Sequence, residues 1–128
     1  MLLTKDQILG ADDIVTKEIN VPQWGGSVKI RTMTASDRDR FEQQVFSGNT
    51  KSERRDNIRA LMLSICIVDE SGNRVFGEKD VKALGGKSAA AVDAIFSEIQ
   101  KMNALSDADI DEAAKNSEGT LGDVSDGE

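Results

Sequence analysis

Histidine and tyrosine are absent from this 128-residue chain, and cysteine, proline and tryptophan occur once each. Without histidine the chain lacks the usual general base, the usual partner of a nucleophile and the commonest metal ligand. The lone Cys66 cannot close an intramolecular disulfide and suits a reducing compartment. Long apolar runs are missing too. The longest, Leu61 to Val68, is broken by Ser64 and falls far short of the roughly 20 residues of a membrane span. The opening "MLLTKDQILGADD" has no basic flank leading into an apolar core, so the expected location is the cytosol, with no membrane contact. A basic surface is lacking as well. The segment from Ala104 onward has eight acids and one lysine and so holds the entire net charge of −7, while the 103 residues before it are neutral. Nothing in that balance would follow a phosphate backbone, which argues against nucleic acid as a partner.

What is present describes a single small domain. "VTKEINV" and "SVKIRTM" alternate apolar and polar residues with a period of two, and "PQWGG" between them reads as a hairpin loop. Thr4 and Gln7 stand at capping-box spacing before a short helical turn that Gly10 ends. Thr34 or Ser36 caps a helix in which Asp37 and Asp39 occupy the first turn and Phe41 and Val45 share a face; Gly48 or Asn49 closes it. Ile58, Leu61, Met62 and Ile65 mark the buried stripe of a helix from about 52 to 66. "CIVDESGNRVF" reads as a second, small hairpin turning at Ser71-Gly72-Asn73. A turn or two of helix reaches Gly85-Gly86, and the last long helix spans about 87–103, capped by Ser88. The fold class is thus α+β: a mainly helical small domain over 1–115 with an N-terminal β-hairpin and a second short hairpin. Residues 116–128 form a disordered acidic C-terminal tail, too poor in apolar side chains to offset the entropy of ordering.

Four stretches invite a chemical reading. "GGKS", Gly85 to Ser88, ends like a phosphate-binding loop, but the first glycine of that motif would fall on Val81, and a helix precedes it; the plain alternative is a helix-ending glycine pair followed by a cap. Asp107, Asp109, Asp111 and Glu118 match positions 1, 3, 5 and 12 of a calcium loop, yet position 6 is Glu112 instead of glycine, and an acidic helix start accounts for the same aspartates. Asp37 and Asp39 sit two apart and point to nearly opposite faces of a helix, so capping and pairing with Arg38 and Arg40 fit better than shared acid–base work. Cys66 lies in an apolar run and reads as a buried thiol. No catalytic, cofactor-binding or metal-binding set emerges. Trp24 at a loop tip either offers a contact surface or folds back over Val28 and Ile30.

The order "VPQWGG", "VKIRTMT", "DRDRF", "VDESGNRVF" and "EKDVKALGGKSAAAVDAIFSEIQKMNALS" resembles the tail assembly chaperone family of long-tailed, siphophage-type bacteriophages and prophages, over roughly 14–106. The resemblance implies a non-enzymatic protein that binds the tape measure protein, keeps it soluble and helps bring tail tube subunits to it. It also implies self-association as a homo-oligomer, a place in the host cell cytoplasm, and absence from the mature virion. A longer form made by programmed frameshifting would carry the contact to the tail tube protein. The family brings no active-site residues with it, so the candidate contact residues come from this sequence: Trp24, Val28, Ile30, Phe41 and Val45. The competing readings are a structural virion component, such as a head–tail connector or minor tail protein, and a metal-binding accessory module on the acidic segment.

Overall fold

The computed structural model describes residues 1–46, 58–105 and 109. Helix α1 (Lys5–Leu9) comes first, with Thr4 as its cap: Gln7 N donates to Thr4 Oγ1 (3.2 Å) and Thr4 N to Gln7 Oε1 (2.9 Å). Strands β1 (Thr16–Val21) and β2 (Gly26–Arg31) form the expected antiparallel hairpin. Pro22–Trp24 make one turn of 3-10 helix, and Gly25 follows at φ 74°, a left-handed conformation that a side chain would strain. Ile19 lies opposite Val28 and Lys17 opposite Ile30, so these four share one side of the hairpin.

Helix α2 (Ala35–Phe46) turns its Phe41 and Val45 into the core, each 2% exposed. Helix α3 (Ile58–Cys66) is the centre of the molecule: of its nine residues only Arg59 is outside the buried set. A helix apolar all round must be covered on every side, and α2, helix α4 (Val81–Gly85) and helix α5 (Ala89–Met102) supply that cover. Met62, Leu63 and Ile95 reach 0% exposure, and burial of such side chains contributes roughly 1.5–3 kcal/mol each.

At Cys66 the chain passes from α3 straight into strand β3 (Ile67–Val68). The helix therefore ends inside the protein with no glycine cap, and two arginines serve its last carbonyls. Arg74 Nε donates to Ser64 O (3.0 Å) and an Arg31 Nη to Ile65 O (3.2 Å). Positive charge at a helix C-terminus is also favoured by the helix dipole.

The second hairpin differs from the sequence expectation. Its turn is present: Asp69 accepts from the backbone N–H of Ser71 and Asn73 (2.9 and 3.0 Å), and Gly72 is left-handed at φ 89°. The returning arm is only a bridge between Val68 and Arg74. Strand β3 instead pairs with β2, giving a three-stranded antiparallel sheet in the order β1-β2-β3. Apolar Ile67 gains more by joining Ile30 at the core side of the sheet than from an isolated two-stranded ribbon.

The expected closure of α2 at Gly48 or Asn49, the first turns of the helix expected from 52, the domain boundary at 115/116 and the acidic tail all lie outside the described residues.

Candidate functional site

The chemical candidates resolve into structural roles. Gly85 ends α4, Gly86 caps it, and Ser88 caps α5 by accepting from Ala91 N (3.4 Å). A helix therefore precedes the "GGKS" segment, and Lys87 is exposed beside it. Cys66 is fully buried, and burial pushes its thiol up to about 12. Of the calcium-loop aspartates only Asp109 is described; the rest of that loop lies outside the described residues. Among the described residues no group of three or more Cys, Asp or Glu is placed to hold a metal ion.

Asp37 is not paired as the sequence suggested. It caps α2 through Thr34, accepting from Thr34 N (3.1 Å) while Asp37 N donates to Thr34 Oγ1 (3.0 Å), and its ion-pair partner is Arg31 of β2 at 2.8 Å. Arg38, expected to pair with an aspartate, meets Glu42 one turn on (3.5 Å). Reach decides this: β2 leads into α2 within a few residues and lays Arg31 over the helix start.

The five candidate contact residues separate in space. Ile30, Phe41 and Val45 are buried in the core, at 0%, 2% and 2% exposure, and offer no surface to a partner. Alternation and helical spacing identify an apolar face but not whether it looks inward, which is why the sequence grouped them with Trp24. Trp24 and Val28 are half-buried, packed against the core while still reaching solvent. Trp24 thus folds back on the core, one of the two readings its loop position allowed, and keeps part of its ring in solvent.

Two hollows meet at Trp24. The larger, about 640 Å³, runs over the sheet and is lined by residues of all three strands with Trp24, Val75 and Phe76. The smaller, about 200 Å³, lies between Trp24, Phe76, Ala83, Leu84 and the rim residues Asp80 and Lys87. Trp24 and Phe76 line both, so the hollows adjoin in one groove from the sheet to α4, apolar along these side chains and edged by Lys17, Glu18, Lys29, Asp69 and Glu70. Lys17, at the edge of the groove, donates to Glu98 of α5 (2.7 Å) and holds that exposed carboxylate below the usual range. Val75, Phe76 and Leu84 were missed as site residues. The signal available was Val75 in a turn-flanking position too short to make a strand, and it is 51% exposed.

Such a groove suits an apolar side of a helix or an extended segment. The comparisons agree with a contact function. The sequence profile described as "Phage tail assembly chaperone" matches residues 8–116. Among solved structures, the bacteriophage HK97 tail assembly chaperone superposes with a TM-score of 0.56 at 16% identity, covering 76% of this chain and 94% of that one. At that identity the likeness speaks for a shared α+β fold. A comparison with curated proteins gives no match. Among the described residues no helix is long and apolar enough to cross a membrane. With most of its length matched by the profile, the chain belongs to the phage tail assembly chaperone family.

Proposed function

We propose that this protein is a non-enzymatic chaperone that binds the tape measure protein during tail assembly and keeps it soluble. In this reading it also helps bring tail tube subunits to the growing complex, through a longer frameshifted form. It works in the host cell cytoplasm as a homo-oligomer and is left out of the finished virion. The observation that carries the reading is the Trp24–Phe76 groove in a member of this family. A long helical client exposes apolar stripes until it is enclosed by tube subunits, and a groove with a half-buried tryptophan at its centre is suited to cover one.

Fractionation of assembled tails tests the placement. The chain is expected with the tape measure protein in lysates and missing from purified tails. Its recovery at fixed stoichiometry in purified tails would overturn the chaperone reading in favour of a virion component.

A further inference from the structure

Lys87 stands at the rim of the hollow beside α4 with its charge unmatched. Successive turn bonds fix its backbone, Gly86 N donating to Ala83 O and Lys87 N to Leu84 O (both 3.1 Å). Its ammonium has no ion-pair partner among the described residues. The other charge on that rim is already engaged, because Asp80 accepts from Gly77 N (2.8 Å). The floor is apolar, made by Trp24, Phe76, Ala83 and Leu84. At about 200 Å³ the hollow is smaller than the roughly 300–1,000 Å³ of small-molecule sites, so it suits one or two apolar side chains. An apolar residue beside a carboxylate is the chemistry that matches it.

The chain itself carries that chemistry beyond Leu105. Between 116 and 128 the only large apolar residues are Leu121 and Val124, and Glu118, Asp123, Asp126 and Glu128 surround them without a base. We propose that this C-terminal segment covers the hollow beside α4, with Leu121 and Val124 against Trp24 and Leu84 and a neighbouring carboxylate on Lys87. It is a reversible cover over one end of the groove that the client takes.

Reach permits it. Lys87 precedes α5 and Leu105 follows it, so the segment must return over a helix of 14 residues, about 21 Å at roughly 1.5 Å per residue. Residues 106–120 span roughly 22 Å as a helix and about 50 Å extended. Charge selects the place. At the sheet end of the groove Glu18, Asp69 and Glu70 are opposed only by Lys29, since Lys17 is tied to Glu98, and an acidic segment is repelled there. Tethering makes a weak contact sufficient. A segment on a short linker meets its site at an effective concentration on the order of 1 mM, so a contact of millimolar affinity is closed about half the time and yields to a tighter client.

This inference rests on the client reading of the groove and names a regulation of that site. Trp24 is the single tryptophan, so its emission reports the cover directly. The full chain is compared with a Leu121→Ser/Val124→Ser variant, which keeps every charge. The parent should emit at a wavelength a few nanometres shorter than the variant, and about 0.5 M salt should move the parent toward it. Adding Lys87→Gln to the tail variant should shift the emission no further; a further shift overturns the part given to Lys87. In co-precipitation the tail variant should capture several-fold more tape measure protein than the parent. Emission that is the same in parent and tail variant overturns the cover, and leaves the client reading standing where the parent still captures the tape measure protein. A shifted emission with equal capture overturns the regulation. Capture by neither chain overturns the client reading, and the emission then judges the cover alone.

Discussion

Arg31 and Asp37 meet at 2.8 Å, with only 14% and 13% of their side chains exposed. The pair joins the end of β2 to the start of α2, and the same guanidinium donates to Ile65 O at the end of α3. One arginine thus fastens the hairpin, the first long helix and the buried helix at a single point.

Removing the acid from that point should be costly. Asp37→Asn leaves Arg31 half-buried without its counter-charge, and we expect a loss of about 2 kcal/mol, below the ~3–5 kcal/mol of a fully buried pair because some solvent reaches this one. Urea unfolding at neutral pH measures it. Burial pushes the Asp37 carboxyl up, but the Thr34 N–H and the Arg31 guanidinium outweigh it and hold the pKa below its ordinary 3.8. A lowered pKa means that the stabilisation is complete above 3.8 and is lost as pH falls through the folded-state value. The gap between parent and Asp37→Asn should therefore narrow in acid below pH 3.8.

At the other end of α5 a residue occupies a conformation suited to glycine. Ala104 has φ 54°, with Ala104 N donating to Lys101 O (3.3 Å) and Leu105 N to Gln100 O (2.8 Å), the pattern of a Schellman cap. Leu105 is buried, so the cap is held by packing in spite of the strain. Ala104→Gly should raise stability by about 0.5–1 kcal/mol, because relief of left-handed strain exceeds the added chain entropy. Thermal melting reads this as a rise of a few degrees.

The thiol of Cys66 should be silent in the folded protein. Its pKa stands at about 12 against an ordinary 9.0, because burial disfavours the thiolate. A raised pKa means that stability is unaffected below 9.0 and declines as pH climbs from there toward 12, where the unfolded chain ionises first. A thiol reagent at pH 8 should label Cys66 only after denaturant unfolds the chain.

Val75 gives a cleaner probe of the groove than Trp24. Trp24 packs partly against the core, so Trp24→Ala should itself cost about 2 kcal/mol, less than the ~3–5 kcal/mol of a fully buried aromatic. Val75 is half in solvent, and Val75→Asp should alter stability by no more than about 0.5 kcal/mol. A melting curve close to the parent, together with loss of client binding, is the expected outcome.

Local rules carried most of the fold. The capping box at Thr4, the period-two strands, the helical stripe from Ile58 and the Ser88 cap each depend on neighbours within a few residues, and each was legible, while the cap of α2 was narrowed to Thr34 or Ser36 and is Thr34. The pairing of β3 with β2 was not, because a two-residue strand has no periodicity, and its partner lies far back in the sequence. The same limit hid the Arg31–Asp37 pair behind nearer arginines. At the groove, Trp24 and Val28 stood out by residue type, whereas Leu84 became a wall only once α4 packed beside the loop.

The most direct test of the account is the soluble fraction of the tape measure protein co-expressed with the full chain, with its Val75→Asp variant, or alone. The account predicts a largely soluble tape measure protein with the parent chain, and an insoluble one with the variant or alone. A tape measure protein equally insoluble in the presence and absence of the parent chain would contradict it.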